Sequence, residues 1–239
     1  MNLILCVFFL VLSSALFKVF CVIAQDTLLM DKPNNRSLHS CPTIRGGGIV
    51  FIGLALISLP LLCYLNKTSF FEQGVFALSI LMIAGLSFLD DLYHLSVTLR
   101  FFVQSIVALS IAVFIRPEEL QFLFFSISSP GLISPFIFFT VLWAINHFNF
   151  MDGIDGFCAS QAVFLLVAYA LLFGIQGDVF YQNFCWIFIS CLAGFLIFNL
   201  PPAKLFMGDV GSATLGLITF CLALIAQQKF QIPILYWFM

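Results

Sequence analysis

The sequence predicts an all-α protein: a polytopic transmembrane helix bundle of about eight complete spans plus a partial ninth, forming one domain over residues 1–239. Three observations carry this. Hydrophobic residues make up 62% of the chain and charged residues 8%, with a mean hydropathy of +1.14; soluble domains are roughly 25% charged, so lipid is the expected solvent. Apolar runs recur at 3–24, 48–65, 75–89, 99–115, 132–145, 157–173, 184–200 and 210–226, and another begins near Ile232 and stops at Met239. Most of the polar residues collect between the runs. The net charge of -2 gives no reason to expect a nucleic-acid partner.

The run 3–24 is longer than the apolar core of a signal peptide and no positive residue precedes it, so it reads as a retained first span with Lys18 snorkelling near one end. Several later runs are shorter than the ~20 residues of an upright span, so flanking residues or local bilayer thinning must complete them. The segment 120–135, LQFLFFSISSPGLISP, breaks the pattern with Pro and Ser and reads as an interfacial loop or short hairpin. Of the eight Cys, Cys6, Cys21, Cys63, Cys185, Cys191 and Cys221 are among those that lie inside apolar runs, and no CxxC pair occurs. They read as small buried hydrophobes.

If the spans alternate, the loops after spans one, three, five and seven share one side of the membrane. Lys32, Arg36, Arg45, Arg100 and Lys204 lie there, against Lys67, Arg116 and Lys229 on the other side. This excess favours the first side as cytoplasmic. All three His (His39, His94, His147) and seven of the eleven acids share it. Ionisable groups at the ends of packed spans are expensive, and function is their default explanation.

Four segments on that side could do chemistry. In FLDDLYHLSVTLR, the adjacent Asp90 and Asp91 suit magnesium, or one could be a base beside the other. Arg100 could pair with a phosphate. In NHFNFMDGIDG, Asn146, Asn149, Asp152 and Asp155 are spaced by three, which on a helix or helix-like turn stacks them on one face. Gly153 and Gly156 permit close approach or an irregular turn. Such a strip could hold a metal, a nucleotide or both; capping of the next span by Asp155 is the simpler alternative. In FNLPPAKLFMGDVGSATLG, Asp209 precedes an apolar span beside small residues. It reads as a magnesium ligand or as a cap, with Lys204 and Asn199 nearby. The loop DKPNNRSLHSCPTIRGGG carries Lys32, Arg36 and Arg45 and ends in three Gly. It reads either as a phosphate-facing flap or as a positive-inside anchor. Together the four point to metal-assisted chemistry on phosphates at one membrane face.

In this order, from Leu28 to Gly216, the four segments closely resemble the polyprenyl-phosphate N-acetylhexosamine-1-phosphate transferases, glycosyltransferase family 4 in the older naming. NFMDGIDG and FMGDVGS are the most specific parts. RSLHS in the first loop is similar to the O-antigen and common-antigen branch rather than the peptidoglycan branch. The resemblance implies transfer of a sugar-1-phosphate from a UDP-N-acetylhexosamine-type sugar to undecaprenyl or another polyprenyl phosphate, with release of UMP. It implies Mg2+ or Mn2+ as cofactor, an active face on the cytoplasmic side of the inner membrane, and a homodimer. By motif, Asp209 and Asn149 would hold the metal, and Asp90 and Asp91 would be catalytic. Asn146, Asp152, Gly153, Asp155, Asn199 and Lys204 would surround the nucleotide sugar. Arg100 and Arg45 would meet the lipid phosphate.

Family members usually have ten or eleven spans and a His-rich fifth cytoplasmic loop, so the resemblance implies a chain that lacks the last spans and that loop. The alternative function is a non-catalytic membrane binding protein, which predicts no turnover with any metal. A transporter would need charges at mid-membrane; here they gather at span ends.

Overall fold

The computed structural model describes residues 3–25, 27, 29–31, 42–122 and 124–234. Lys32, Arg36 and His39, and the end of the ninth run, lie outside these. Among the described residues, eight helices are long and apolar enough to cross a membrane: α1 (Leu3–Ala24), α2 (Gly48–Asn66), α3 (Gly74–Tyr93), α4 (Val97–Phe114), α5 (Pro130–Met151), α6 (Phe157–Ile175), α7 (Val179–Asn199) and α8 (Gly208–Phe230). The chain is a multi-pass membrane protein with an all-α bundle. Helices are the natural solution, because each satisfies its own backbone hydrogen bonds where no water is available.

The bundle is organised around α8. Nearly all of its apolar window is buried (94%), against 17% for α1 at the periphery. Helix α8 packs on α2, α3, α5 and α6, while α7 packs on α1, α2 and α6, so α2 and α6 join two half-bundles. Small residues let α8 sit centrally: Gly211 lies against Gly48 and Phe51 of α2, and Gly216 against Ala144 and Phe148 of α5. Phe51, Phe188 and Phe195 fill the space between α2 and α7 with tilted and edge-on ring contacts.

Most helices run past the apolar stretches that announce them. Helix α3 continues through Asp90 and Asp91, and α5 continues from Ile145 through Asn146, His147 and Asn149 to Met151. These polar residues extend the helix because their side chains find partners: Asn146 Nδ2 donates to Leu142 O at 2.8 Å. The segment 120–135 divides in two. Leu120–Gln121 (β3) pairs antiparallel with Ser126–Ile127 (β4), and α5 begins at Pro130, where a helix tolerates proline. A second two-strand ladder joins Met30–Asp31 (β1) to Thr43–Ile44 (β2).

At the end of the bundle remote from this ladder, Asp178 caps α7 by accepting the Tyr181 N–H at 3.0 Å, and pairs with Lys229 of α8 at 2.8 Å. Lys229 also sits over the Tyr181 ring. Asp178→Ala is expected to lose about 1–2 kcal/mol, mostly the cap. The measurement is the melting temperature of the detergent-purified protein, which should fall by several degrees.

Candidate active site

A backbone clasp assembles the site. The segment between α7 and α8 lays residues 205–207 beside residues 44–48. Phe206 N–H donates to Ile44 O (2.7 Å), Gly47 N–H to Phe206 O (2.9 Å) and Gly48 N–H to Met207 O (2.8 Å). Gly46 turns the chain with φ +86°, a conformation glycine adopts without strain. Buried Asn199 braces the same loop: Nδ2 donates to Leu205 O at 2.8 Å, and Oδ1 accepts from Gly156 N at 3.0 Å. The clasp brings Arg45 to the start of α8, 164 positions away in sequence.

There the charges interlock. Arg45 Nε meets Asp91 Oδ1 at 2.9 Å, and an Arg45 terminal nitrogen donates to Asp209 Oδ1. Arg100 Nη1 pairs with Asp90 Oδ2 at 2.8 Å and stands 4.0 Å from Asp209 Oδ2. Asp90 Oδ1 accepts the Leu95 N–H at 2.7 Å, which fixes the turn from α3 to α4. Three carboxylates and two guanidinium groups thus share the end of the bundle. Asp91 is sealed in, with a side chain 0% exposed, whereas Asp209 keeps 17%.

Beside them a cleft of about 220 Å³ opens between α3, α4, α5 and α8. Asp90, Arg100, Asn146, Asn149 and Asp209 line its polar side, and Leu86, Val97, Phe101 and Phe150 its apolar side. The i, i+3 spacing of Asn146 and Asn149 puts both on the cleft face of α5. Asn149 Oδ1 accepts from Ser212 Oγ at 3.1 Å. Gln104, which the motifs did not single out, also lines the cleft and accepts from Asn146 Nδ2 at 3.3 Å. Its signal was present: a lone amide inside an otherwise apolar span is costly unless used.

Other expected residues stand outside the cleft lining. The strip read from Asn146 to Asp155 does not continue, because α5 ends at Met151 and the helical period ends with it. Asp155 Oδ2 instead accepts the Ala203 N–H at 2.9 Å, and it does not cap α6, whose N-cap is Gly156. Gly153 is exposed, and a methyl group there would meet nothing within 4 Å, so no close approach requires glycine; Gly156, at φ +73°, does need it. Asn199 is 3% exposed and spends its amide on the loop. Lys204 is exposed and lies outside the cleft lining. Asp152 follows α5 directly. Burial pushes its carboxyl well above the usual carboxylate range, with Arg45 opposing and Asp209 and Asp91 adding to the rise. His94 is exposed at the left-handed C-cap of α3, and His147 stacks on Trp143, so neither joins the cleft.

Among the described residues no three Asp, Glu, His or Cys side chains converge as a ready-made metal cage. The available donors are hard oxygens, namely Asp209 Oδ2 and the Asn149 amide oxygen. Among the described residues no hydrogen-bond donor reaches Asp209 Oδ2. This set fits magnesium, which takes one or two protein carboxylates and completes its shell with water and substrate phosphates.

Over 211 residues the chain is 33% identical to a Bacillus subtilis (strain 168) protein described as "Probable undecaprenyl-phosphate N-acetylglucosaminyl 1-phosphate transferase", covering 84% of this chain and 56% of that protein. It is 29% identical to the phospho-N-acetylmuramoyl-pentapeptide-transferase of Streptococcus pyogenes serotype M6, covering 81% and 62%. It is 32% identical to the protein of the same description from Wolbachia sp. subsp. Brugia malayi, covering 77% and 60%. The chain therefore spans about three fifths of the length of these relatives. The family model described as glycosyl transferase family 4 matches residues 74–227, from the start of α3 to the last turn of α8, and the chain belongs to that family.

Proposed function

We propose that the chain carries the site for transfer of an N-acetylhexosamine-type sugar-1-phosphate from a UDP-sugar to undecaprenyl phosphate, with release of UMP. The reaction would take place at the cytoplasmic face of the plasma membrane and start O-antigen or another envelope polysaccharide. One observation carries this reading: a cleft at one end of a membrane bundle joins carboxylates, a guanidinium group and amides on one side to an apolar wall on the other. That pairing suits a lipid phosphate meeting a soluble nucleotide.

In this reading the acceptor phosphate exchanges places with Asp90 on Arg100, an exchange of one anion for another. An acceptor oxygen attacks the sugar-linked phosphorus; the bond from that phosphorus to the bridging oxygen breaks, and UMP leaves with the bridging oxygen. A deprotonated acceptor needs no base, so Asp90 organises charge around Arg100. Asn149 and Asp209 are the residues that would hold Mg2+ or Mn2+. When bound, the ion offsets charge on the diphosphate and on the departing UMP. Asn146, Asp152 and Lys204 face or flank the nucleotide, and Asp155 and Asn199 shape its loops. Holding both substrates at one membrane face supplies proximity. A homodimer belongs to the same proposal, and native mass spectrometry in detergent tests it.

The test is UMP release by membranes containing the chain, given undecaprenyl phosphate, Mg2+ and either UDP-GlcNAc or UDP-FucNAc. Release should require both substrates and stop with EDTA. If no UMP appears, even with a relative's C-terminal third appended, the transferase reading fails and a non-catalytic binding role takes its place.

A further inference from the structure

Asp90 and Asp91 are neighbours in sequence but differ in position by roughly 100° around α3. Asp90 lines the cleft, while the Asp91 side chain is fully buried and turned toward α8. Its Oδ1 accepts the Asp209 N–H at 3.0 Å and pairs with Arg45 Nε at 2.9 Å; its Oδ2 accepts the Val210 N–H at 3.1 Å. The first N–H groups of a helix have no partner within the helix. Met207, at the N-cap of α8, offers no side-chain cap. A carboxylate from another helix performs that task, and its negative charge suits the positive end of the α8 dipole.

The approach is close enough to dictate the next residue. Gly208 has φ +71°, and a Cβ there would lie 2.6 Å from Asp91 Oδ2 and 2.9 Å from Gly46 N. Arg45 completes the arrangement by bridging Asp91 and Asp209 Oδ1. This leaves Asp209 Oδ2 as the oxygen without a hydrogen bond from the described residues, on a residue that lines the cleft.

We propose that Asp91 is a positioning residue: it caps α8 from α3 and, with Arg45, sets the direction of the Asp209 carboxylate without itself touching substrate. Its two oxygens are committed to the protein. Its loss would act through Asp209, first on affinity for a divalent ion and only then on rate. Asp90 has different partners, so its loss would act on the acceptor phosphate through Arg100. The catalytic part of this inference rests on the transferase reading above; the capping part does not.

The experiment compares wild type, Asp91→Asn and Asp90→Asn as full chains in nanodiscs. Amide hydrogen exchange over 208–212 is measured without substrate. Mn2+ binding is followed by electron paramagnetic resonance, and UMP release is titrated with Mg2+. Asn keeps the shape and one acceptor oxygen, so the fold should survive; a melting curve checks this. Asp91→Asn should speed exchange at Asp209 and Val210 and weaken Mn2+ binding by roughly 10–100-fold, the range for losing a residue that orients a metal ligand. Excess Mg2+ should then restore most of the turnover, with the KM for undecaprenyl phosphate unchanged. Asp90→Asn should leave exchange over 208–212 as in wild type. The proposal is overturned if Asp91→Asn leaves exchange and Mn2+ binding unaltered, or if it abolishes turnover that no Mg2+ concentration restores while Mn2+ still binds. If wild type releases no UMP, the transferase reading fails, and exchange at Asp209 and Val210 still decides the capping role.

Discussion

Asp209→Asn is expected to reduce UMP release by roughly 10³-fold, corresponding to about 4 kcal/mol of lost charge stabilisation at the reacting phosphates. The substitution keeps the side-chain shape and leaves the Asp209 N–H on Asp91. Arg45 retains Asp91 as an ion-pair partner. The fold should therefore persist, with a melting temperature within a few degrees of wild type. What disappears is the formal charge on the cleft carboxylate that has an oxygen without a hydrogen bond from the described residues, beside Asn149 and Arg100. Initial rates with labelled UDP-sugar, together with Mn2+ binding, check this. A variant that retains a tenth of the wild-type rate would remove Asp209 from the centre of the proposal.

Gly48→Ala should be among the most damaging single-methyl changes in the bundle. A Cβ at Gly48 would lie 2.3 Å from both Cα and N of Gly211 and 2.8 Å from Met207 O. All three are backbone atoms, so no rotamer change relieves the clash; α2 and α8 must separate. Overpacking typically costs 1–3 kcal/mol when side chains can adjust. Here at least about 3 kcal/mol is expected, a large share of the 5–15 kcal/mol that holds a typical domain together. The separation would also break the Gly48–Met207 hydrogen bond and draw Arg45 away from Asp209. Thermal melting monitored by size-exclusion chromatography reads the effect. Gly53→Ala is the control, on the same helix with nothing within 4 Å of the added methyl, and it should melt as wild type or slightly higher.

The spans were legible because lipid imposes one simple rule, that long apolar segments cross as helices. The ends of the spans were harder to read. Polarity suggests a stop at Ile145, yet α5 runs on to Met151 because Asn146 bonds back to Leu142 and across to Gln104. The same limit explains the misread strip. A spacing of three is a face only while the helix lasts, so Asn146 and Asn149 share the cleft, while Asp155 turns to Ala203. Asn199 looked like a substrate ligand by motif, but its amide joins two loops, a role that the sequence does not distinguish from binding.

By itself the sequence determined the solvent, the eight crossings, and the gathering of acids, amides and bases at one end. Composition and alternation of spans suffice for these. The tertiary structure alone decided which charges meet. The clasp between residues 44–48 and 205–207 is a few backbone hydrogen bonds without a periodic signal, and it carries Arg45 to Asp209. The packing of α8 against α3 turned Asp90 toward the cleft and Asp91 toward a helix end, two fates for identical neighbours. Side-chain chemistry names what a residue can do; the direction in which its backbone points it, and what already satisfies its hydrogen bonds, decides what remains free for a ligand.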